Sequence, residues 1–370
     1  MLSKSRKRND MQEVVYDTPR YAVYEKDAKL VGYEKKHRVL KDDETVLVQK
    51  IGDDVKKSVA EALEKIGARK LISGGDSVAI KINLGGGIDG IPSSYTDPLI
   101  VEGIIDYLQG TGANPFVCEA NMRTITMNEE KLRNRGYYEM LERKNTPFVN
   151  LSLGKTVEFY PLEFDFPLLL PEVLLNPKTK IISVAPPKHH WECGVTLAQK
   201  NMYGAIAERR KSIYHRHSYD MIDKVVAASA RAMTPDLSVV GARKLCTGLG
   251  PHFCIPINFN YLVVAPDMLR CDMAASEILG YPYTKVKYAM LNAQGIPIAY
   301  RLHRDSVEVD AETKKKIMKN AMTQEQTGFW KALLYEQYFI PHWFQYNVIA
   351  RFEFLATYIN KKFYEPKGDQ

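Results

Sequence analysis

Between residues 188 and 217 the chain concentrates side chains that can move protons or hold anions. The stretch reads Lys188-His189-His190-Trp191-Glu192-Cys193-Gly194-Val195-Thr196, then Lys200-Asn201-Met202-Tyr203-Gly204, Arg209-Arg210-Lys211 and His215-Arg216-His217. Four of the eight histidines of the chain fall here. An imidazole titrates near neutral pH and is the natural proton carrier. Lysine and arginine hold carboxylate or phosphate, arginine in bidentate fashion. His190 and His215 are therefore the candidate acid/base residues, with Lys188 and Lys200 as the cations beside them; Thr196 and Lys200, four apart, would share a helix face. The same stretch has a second use. His190, Cys193, His215 and His217 offer nitrogen and sulfur to a divalent metal, although His-x-x-Cys with His-x-His matches no finger spacing.

Three further segments could complete a cleft. Lys81-Ile82-Asn83-Leu84-Gly85-Gly86-Gly87 ends a β-rich run, so alternation puts Lys81 and Asn83 on one face, and the glycines can bring backbone N–H groups close to an anion. No Gly-Lys-Ser/Thr follows and the loop is not Gly-x-Gly-x-x-Gly, so it is neither of the common nucleotide loops; a plain tight turn is the competing use of these glycines. Lys81, Asn83, Gly85 and Gly86 are the candidate substrate-binding residues, with Asn201 and with Gly250 of Thr247-Gly248-Leu249-Gly250-Pro251-His252. Asp272 sits on an otherwise apolar helix. A buried carboxylate needs a partner, and orienting a cleft lysine or histidine would give Asp272 a place in the catalytic set.

The elements that must position these residues follow a strand–helix rhythm. Helical spacing predicts helices over Asp54 to Ile66, Pro98 to Leu108 (Asp97 or Thr96 as cap), Asn128 to Arg143, Thr196 to Glu208, Tyr219 to Met233 and Met268 to Leu279. Strand signals lie at 46–48, 77–83, 115–118, 148–151, 157–162, 180–185, 236–240 and 261–264. Such alternation implies an α/β fold with a mainly parallel sheet and helices on both faces. Strand ends in such sheets are where ligands bind, which suits the position of Lys188 after the strand ending at Ala185. Residues 1–44 read as an N-terminal arm or edge hairpin, 45–310 as the α/β domain and 311–370 as a helical extension. In that extension residues 329–364 are dense in aromatics and broken by Pro341. It would pack on the sheet, on a second subunit in a homo-oligomer, or on a partner or membrane surface.

Bulk properties narrow the classes. The 370 residues are 45% hydrophobic and 26% charged, with a net charge of +7, ordinary values for a globular chain with a sizeable core. No apolar run is long enough for a transmembrane span, and the basic N-terminus lacks the apolar stretch of a secretory signal. The five cysteines are odd in number and scattered, a pattern expected of reduced cytoplasmic thiols. Without Cys-x-x-Cys, an in-chain iron–sulfur cluster is not expected. No basic–aromatic stripe argues for nucleic acid.

In order and spacing these segments resemble the domain-of-unknown-function family 362 over roughly residues 75 to 285. The resemblance is carried by Gly75-Asp76-x-Val78-x-Ile80-Lys81-x-Asn83, Thr96-Asp97-Pro98, and Gly112 before the Glu119-ended strand. Lys188-x-His190, Gly194-Val195-Thr196-Leu197-Ala198-x-Lys200-Asn201-x-x-Gly204 and His215 continue it, followed by Gly248-x-Gly250-Pro251 and Asp267 to Gly280. It implies an α/β fold with a shared cleft and leaves the chemistry unassigned. Many members look like iron–sulfur proteins through an appended ferredoxin module. This chain has aromatic helices there instead, so redox work would need an external electron donor.

Three functions stay open at this point. The first is an enzyme acting on a small anionic substrate, a carboxylate or phosphate, by acid/base or redox chemistry. The second is a metal- or iron–sulfur-linked redox accessory protein, and the third an adaptor docking through the aromatic helices.

Overall fold

The structure, a computed structural model, describes residues 13–86, 89–122, 125–215, 220–251 and 253–328, with the side chains of residues 212, 215 and 253 outside that description. The aromatic segment 329–364, His217 and the side chain of His215 therefore lie outside the described residues.

The first strands are β1 (Glu13–Asp17), β2 (Tyr21–Lys26) and β3 (Lys29–Glu34), then β4 (Thr45–Lys50), α1 (Val55–Lys65), β5 (Ser77–Lys81), α2 (Pro98–Gly110) and β6 (Asn114–Glu119). They are followed by α3 (Glu129–Asn134), α4 (Tyr138–Arg143), β7 (Phe148–Asn150), β8 (Thr156–Tyr160), β9 (Leu168–Pro171), α5 (Glu172–Leu175) and β10 (Thr179–Ala185). A small hairpin, β11 (Lys188–His190) and β12 (Gly194–Thr196), leads into α6 (Ala198–Gly204) and α7 (Met221–Ala232). The chain closes with β13 (Leu237–Leu249), β14 (Phe253–Ala265), α8 (Met268–Ile278), α9 (Lys287–Ala293), β15 (Arg301–Leu302) and α10 (Ala311–Lys319).

The α/β expectation holds, but the sheets are mixed rather than mainly parallel. The main sheet runs β15-β4-β14-β13-β10-β5-β6-β7. The neighbours β13, β10, β5, β6 and β7 are parallel, whereas β14 is antiparallel to both β13 and β4. The signals at 236–240 and 261–264 are only the paired bases of two long strands. β13 and β14 form one hairpin that carries Thr247 to Leu249 out past the sheet, where the glycines by themselves suggest a loop. A second sheet, β1-β2-β3-β8-β9, is mostly antiparallel. It absorbs residues 13–34, with Tyr21 and Val23 fully buried.

Alternation along the central strands separates two cores. Val78 and Ile80 of β5, with Ile182 and Val184 of β10, pack beneath α1 and α2. Ala79 and Ile181 face the other way, among residues of α6, α7 and α8. Lys81 lies opposite Ser183 in register, so both continue the second face, toward α6. The helix starts follow local chemistry: the Asp54 carboxylate accepts from Lys57 N, the Asp97 carboxylate from Leu99 N, and Pro98 stands at the first position of α2. The helix expected over Asn128 to Arg143 is two helices, because Gly136 takes a left-handed φ of +74° and breaks the ladder. The helix expected from Thr196 to Glu208 shrinks to α6, since Gly194 to Thr196 pair as a strand.

The cysteine expectation is corrected in part. Cys118, Cys193 and Cys271 are buried thiols, but Cys246 and Cys254 form a disulfide with their Cα atoms 5.3 Å apart. Pairing of Gly248 with Cys254 across the β13–β14 hairpin brings the two together, a proximity that sequence spacing does not reveal.

Candidate functional site

The main sheet reverses direction of growth at β5 and β10. From β5 the chain moves outward to β6, while β10, on the other flank of β5, is followed outward by β13. The crevice outside the carboxyl ends of two such strands is the habitual ligand position in open α/β sheets. Here those ends release Ile82 to Gly86 on one side and Pro186 to Lys188 on the other.

A polar frame fills the floor of this crevice. Lys81 is fully buried and forms an ion pair of 2.9 Å with Glu119 Oε1, itself fully buried at the end of β6. The Lys81 ammonium also donates to Ile82 O (2.6 Å) and Asn201 Oδ1 (3.2 Å). Glu119 accepts in addition from the Leu84 and Ala120 N–H groups at 3.0 and 2.9 Å. Asn201, from α6, donates back to Lys81 O (2.9 Å) and Ser183 Oγ (3.0 Å), and Asn83 donates to Asn201 Oδ1 (3.3 Å). Asn83 N–H in turn donates to Thr96 Oγ1 at 2.8 Å, and that hydroxyl donates to Val184 O at 2.8 Å. Sequence placed Lys81, Asn83 and Asn201 in the site. The structure brings them together with their hydrogen-bonding groups directed at one another.

Above the floor the balance of charge is positive. Lys188, nearly inaccessible, donates to Ser94 O (2.7 Å), Asn83 Oδ1 (2.9 Å) and Gly85 O (3.1 Å). Burial holds its ammonium well below the ordinary lysine range; the nearby positive charges of Lys200, Arg135 and Lys81 push the same way, and Glu119 opposes them. Lys211 is also buried, donates to Asn121 O at 2.8 Å, and is lowered by burial to about 8. Lys200 sits half-buried, 5.5 Å from the centroid of the Tyr203 ring. Among the described residues no carboxylate pairs with it. Lys81, Lys188, Lys200 and Lys211 thus converge on a region where Glu119 supplies the buried negative charge.

Glycines let the walls close. Gly86 has φ +78°, and a Cβ there would lie 2.5 Å from Pro251 Cβ, so the Gly85–Gly86 loop rests against the tip of the long hairpin. A Cβ on Gly250 would fall 2.3 Å from His189 O, which ties that tip to the small hairpin. A Cβ on Gly204 would meet Lys81 Nζ at 3.1 Å, so glycine lets α6 approach the floor without displacing the Lys81 ammonium.

The histidines divide. His189 is structural: Nε2 faces Leu279 O at 3.0 Å and Nδ1 faces Thr247 Oγ1 at 2.9 Å. A carbonyl can only accept, so the ring proton is on Nε2 and Nδ1 accepts from the threonine. Burial lowers this histidine to about 4. His190 stands at the mouth of the small hairpin, where Nδ1 accepts from the Glu192 and Cys193 N–H groups at 3.2 and 3.3 Å.

His190, Glu192 and Cys193 present ligand atoms within 4.8 Å of one another, a set that could hold a borderline metal such as zinc. Glu192 was not in the expected ligand set, while His215 and His217 fall outside the described side chains. The Nδ1 contacts place the proton of a neutral His190 on Nε2, so coordination through either nitrogen would require the ring to give up its present hydrogen-bonding arrangement. Glu192 and Cys193 also line a cleft of about 170 Å³ shared with Asp223, Tyr281 and Lys285.

Asp272 does not orient a cation. Its carboxylate accepts from the Ala198 and Gln199 N–H groups (2.7 and 3.1 Å) and from Gln199 Nε2 (3.0 Å). It caps α6 from α8, because Leu197 at the helix start has no capping side chain. Burial raises Asp272 to about 7 against those bonds.

Reasoning from sequence missed Ser94 and Glu119 as the counter-charge, while Lys211 was read only as one cation of the 188–217 stretch and not as a buried group of the site. It also missed that the hydroxyls of Ser94 and Thr196 are buried without a hydrogen-bond partner among the described residues, each a destabilisation of about 1–3 kcal/mol. A strand-ending Glu119 opposite a strand-ending Lys81 was the available signal for the pair; nothing local signalled the rest.

Comparison with known proteins agrees with this geometry in extent. The family described as Domain of unknown function (DUF362) matches residues 78–277, which takes in β5 through most of α8. A thylakoid-associated protein of Synechocystis sp. is 24% identical over 231 residues, covering 60% of this chain and 69% of that protein. No helix among the described residues is long and apolar enough to cross a membrane.

Proposed function

We propose, from the premise that this chain belongs to the family of domain of unknown function DUF362, that it is an enzyme acting on a small carboxylate or phosphate held in the crevice at the ends of β5 and β10. The observation that carries the reading is the excess of buried positive charge there. Glu119 is already paired with Lys81, and among the described residues the buried ammonium groups of Lys188 and Lys211 meet only backbone and amide oxygens. Burying cations without enough counter-charge is costly unless an anion completes them. In this reading the Lys81–Glu119–Asn201–Asn83 frame fixes the floor. Gly85, Gly86 and Gly250 set the approach of the walls, and Lys188 and Lys200 provide the field. His190 offers its Nε2–H as a hydrogen-bond donor two residues from Lys188, and it becomes a proton donor when a proton taken up at Nδ1 displaces the Glu192 and Cys193 N–H contacts. His215 remains a sequence-based candidate for the second acid/base group.

Calorimetric titration of the full chain with inorganic phosphate and with malonate tests the reading. At least one of the two should bind, and Lys200→Ala should weaken that binding by about tenfold or more, the scale of a charge-assisted contact. Binding of neither anion, or full binding by Lys200→Ala, would remove the proposal.

A metal-linked redox role is supported by one observation, the His190–Glu192–Cys193 cluster. Elemental analysis of anaerobically purified protein, with His190→Ala as the control, tests it. A stoichiometric metal lost in that variant supports this second reading, and a metal-free protein ends it.

A further inference from the structure

Two hydroxyls in the crevice are buried yet bond to nothing among the described residues. Ser94 Oγ and Thr196 Oγ1 lack a hydrogen-bond partner there, although Ser94 is 0% and Thr196 2% exposed. Folded proteins rarely tolerate this, and an unsatisfied group in a native structure asks for an explanation. Both flank the same side chain. Lys188 Nζ donates to the backbone oxygen of Ser94 at 2.7 Å, and Lys188 is the register partner of Thr196 across the β11–β12 pair, so their side chains leave the same face of the hairpin. Lys200, whose charge acts on Lys188 more strongly than any other, stands one turn into α6 with no carboxylate paired to it among the described residues.

We infer that the crevice is built for a tetrahedral oxyanion, a phosphate or the phosphoryl group of a small ester, bound by the hydroxyls of Ser94 and Thr196 and the ammonium of Lys200. The inference rests on the anion-binding reading above and names its ligand class. The donors come from three separate segments: the loop before α2, the strand β12 and the helix α6. A carboxylate offers two oxygens in one plane, whereas a phosphoryl group offers three acceptor oxygens spread around an axis, one for each segment. Lys188 has already placed its three donors on Ser94 O, Asn83 Oδ1 and Gly85 O. It therefore contributes charge and holds the Ser94 loop against β11. The two hydroxyls and Lys200 supply the direct contacts.

The test is calorimetry on the full chain with inorganic phosphate and, separately, with malonate, using Thr196→Val, Ser94→Ala and Thr196→Ser. Phosphate should bind the unaltered chain more tightly than malonate. Thr196→Val and Ser94→Ala should each weaken phosphate about tenfold, the scale of a hydrogen bond to a charged group, and Thr196→Ser should restore it. Thr196→Val is close to isosteric and removes a hydroxyl that the fold leaves unsatisfied, so its melting temperature without phosphate should be no lower than that of the unaltered chain, which separates lost binding from lost folding. Malonate binding without phosphate binding, or phosphate binding unchanged in both hydroxyl variants, overturns the tetrahedral assignment while leaving an anion crevice. Binding of neither anion overturns both.

Discussion

The floor of the crevice and its upper wall are made of similar residues in opposite states. On the floor, Lys81, Glu119, Asn83 and Asn201 direct their donors and acceptors at each other. On the wall, Ser94 and Thr196 keep hydroxyls without a partner among the described residues, and Lys200 keeps a charge that no described carboxylate meets. A saturated network fixes geometry, because every member is held from several directions. An unsaturated one stores donors for something else. Had the floor been the receptor, its lysine would be the one left open; instead Lys81 is the most completely enclosed cation of the group. On the proposed reading the floor serves folding and the wall serves binding, and each variant below can break that assignment.

The largest effect should come from the floor. Glu119→Gln leaves Lys81 as a buried ammonium without its counter-charge, and breaking a buried pair from one side costs about 3–5 kcal/mol. Urea unfolding of the variant would measure it. A loss below about 1 kcal/mol would mean that the floor is not the rigid part, and the comparison would fail at its first term.

A comparable effect should appear with pH. His189 is held near 4 when folded against an ordinary 6.5, so the unfolded chain takes up a proton at a pH where the folded chain refuses it. Stability from this group is therefore complete above pH 6.5 and lost as pH falls toward 4. The drop should reach about 3 kcal/mol, since each tenfold loss of proton affinity on folding corresponds to roughly 1.4 kcal/mol. Unfolding free energies measured at several pH values would show it, and His189→Gln should lower stability throughout while flattening this acid slope. An unchanged slope would detach His189 from the structural side of the site.

How much of this was readable in the sequence follows from the range of each interaction. Period-2 alternation is local, so Lys81 and Asn83 could be placed on one strand end together. Capping is local as well, and Asp97-Pro98 announced α2 correctly. Lys188, Lys200 and Asn201 were visible because they cluster along the chain. The pairing of Lys81 with Glu119 joins neighbouring parallel strands across 38 residues, and it becomes evident only when β5 and β6 are laid side by side. Asp272 was misread because a buried carboxylate suggests a cation, while the partner it found was the open end of α6. The unsatisfied state of Ser94 and Thr196 was illegible in principle, since it is a statement about all neighbours at once. The long β13–β14 hairpin was hidden by its own glycines and proline, which suggest a loop where they serve a hairpin tip.

A smaller effect should follow at the junction of the walls. Gly86→Ala asks for a left-handed φ from a residue with a Cβ, at about 1–2 kcal/mol, and pushes that Cβ to 2.5 Å from Pro251. Thermal melting should fall by a corresponding few degrees, and phosphate binding should weaken because the Gly85 loop carries a Lys188 contact. Normal binding in a destabilised Gly86→Ala would show that the loop closes the fold without shaping the wall.

The smallest expected change is also the one of opposite sign. Thr196→Val removes a buried hydroxyl that has no partner among the described residues and replaces it with a methyl of nearly the same size. The folded chain then no longer bears the desolvation of an unsatisfied polar group, and stability should rise by about 1 kcal/mol, at the low end of that penalty. A gain in stability together with a loss of phosphate affinity is the signature of a residue kept for binding at the expense of folding. The same substitution on the floor cannot behave this way, because the threonine hydroxyl there is already engaged: Thr96 Oγ1 accepts from Asn83 and donates to Val184 O at 2.8 Å, so Thr96→Val should only destabilise. Unfolding curves of the two valine variants, run side by side, therefore read out the contrast between floor and wall directly. If both variants lose stability alike, Thr196 belongs to the frame and the wall holds no spare donor at that position.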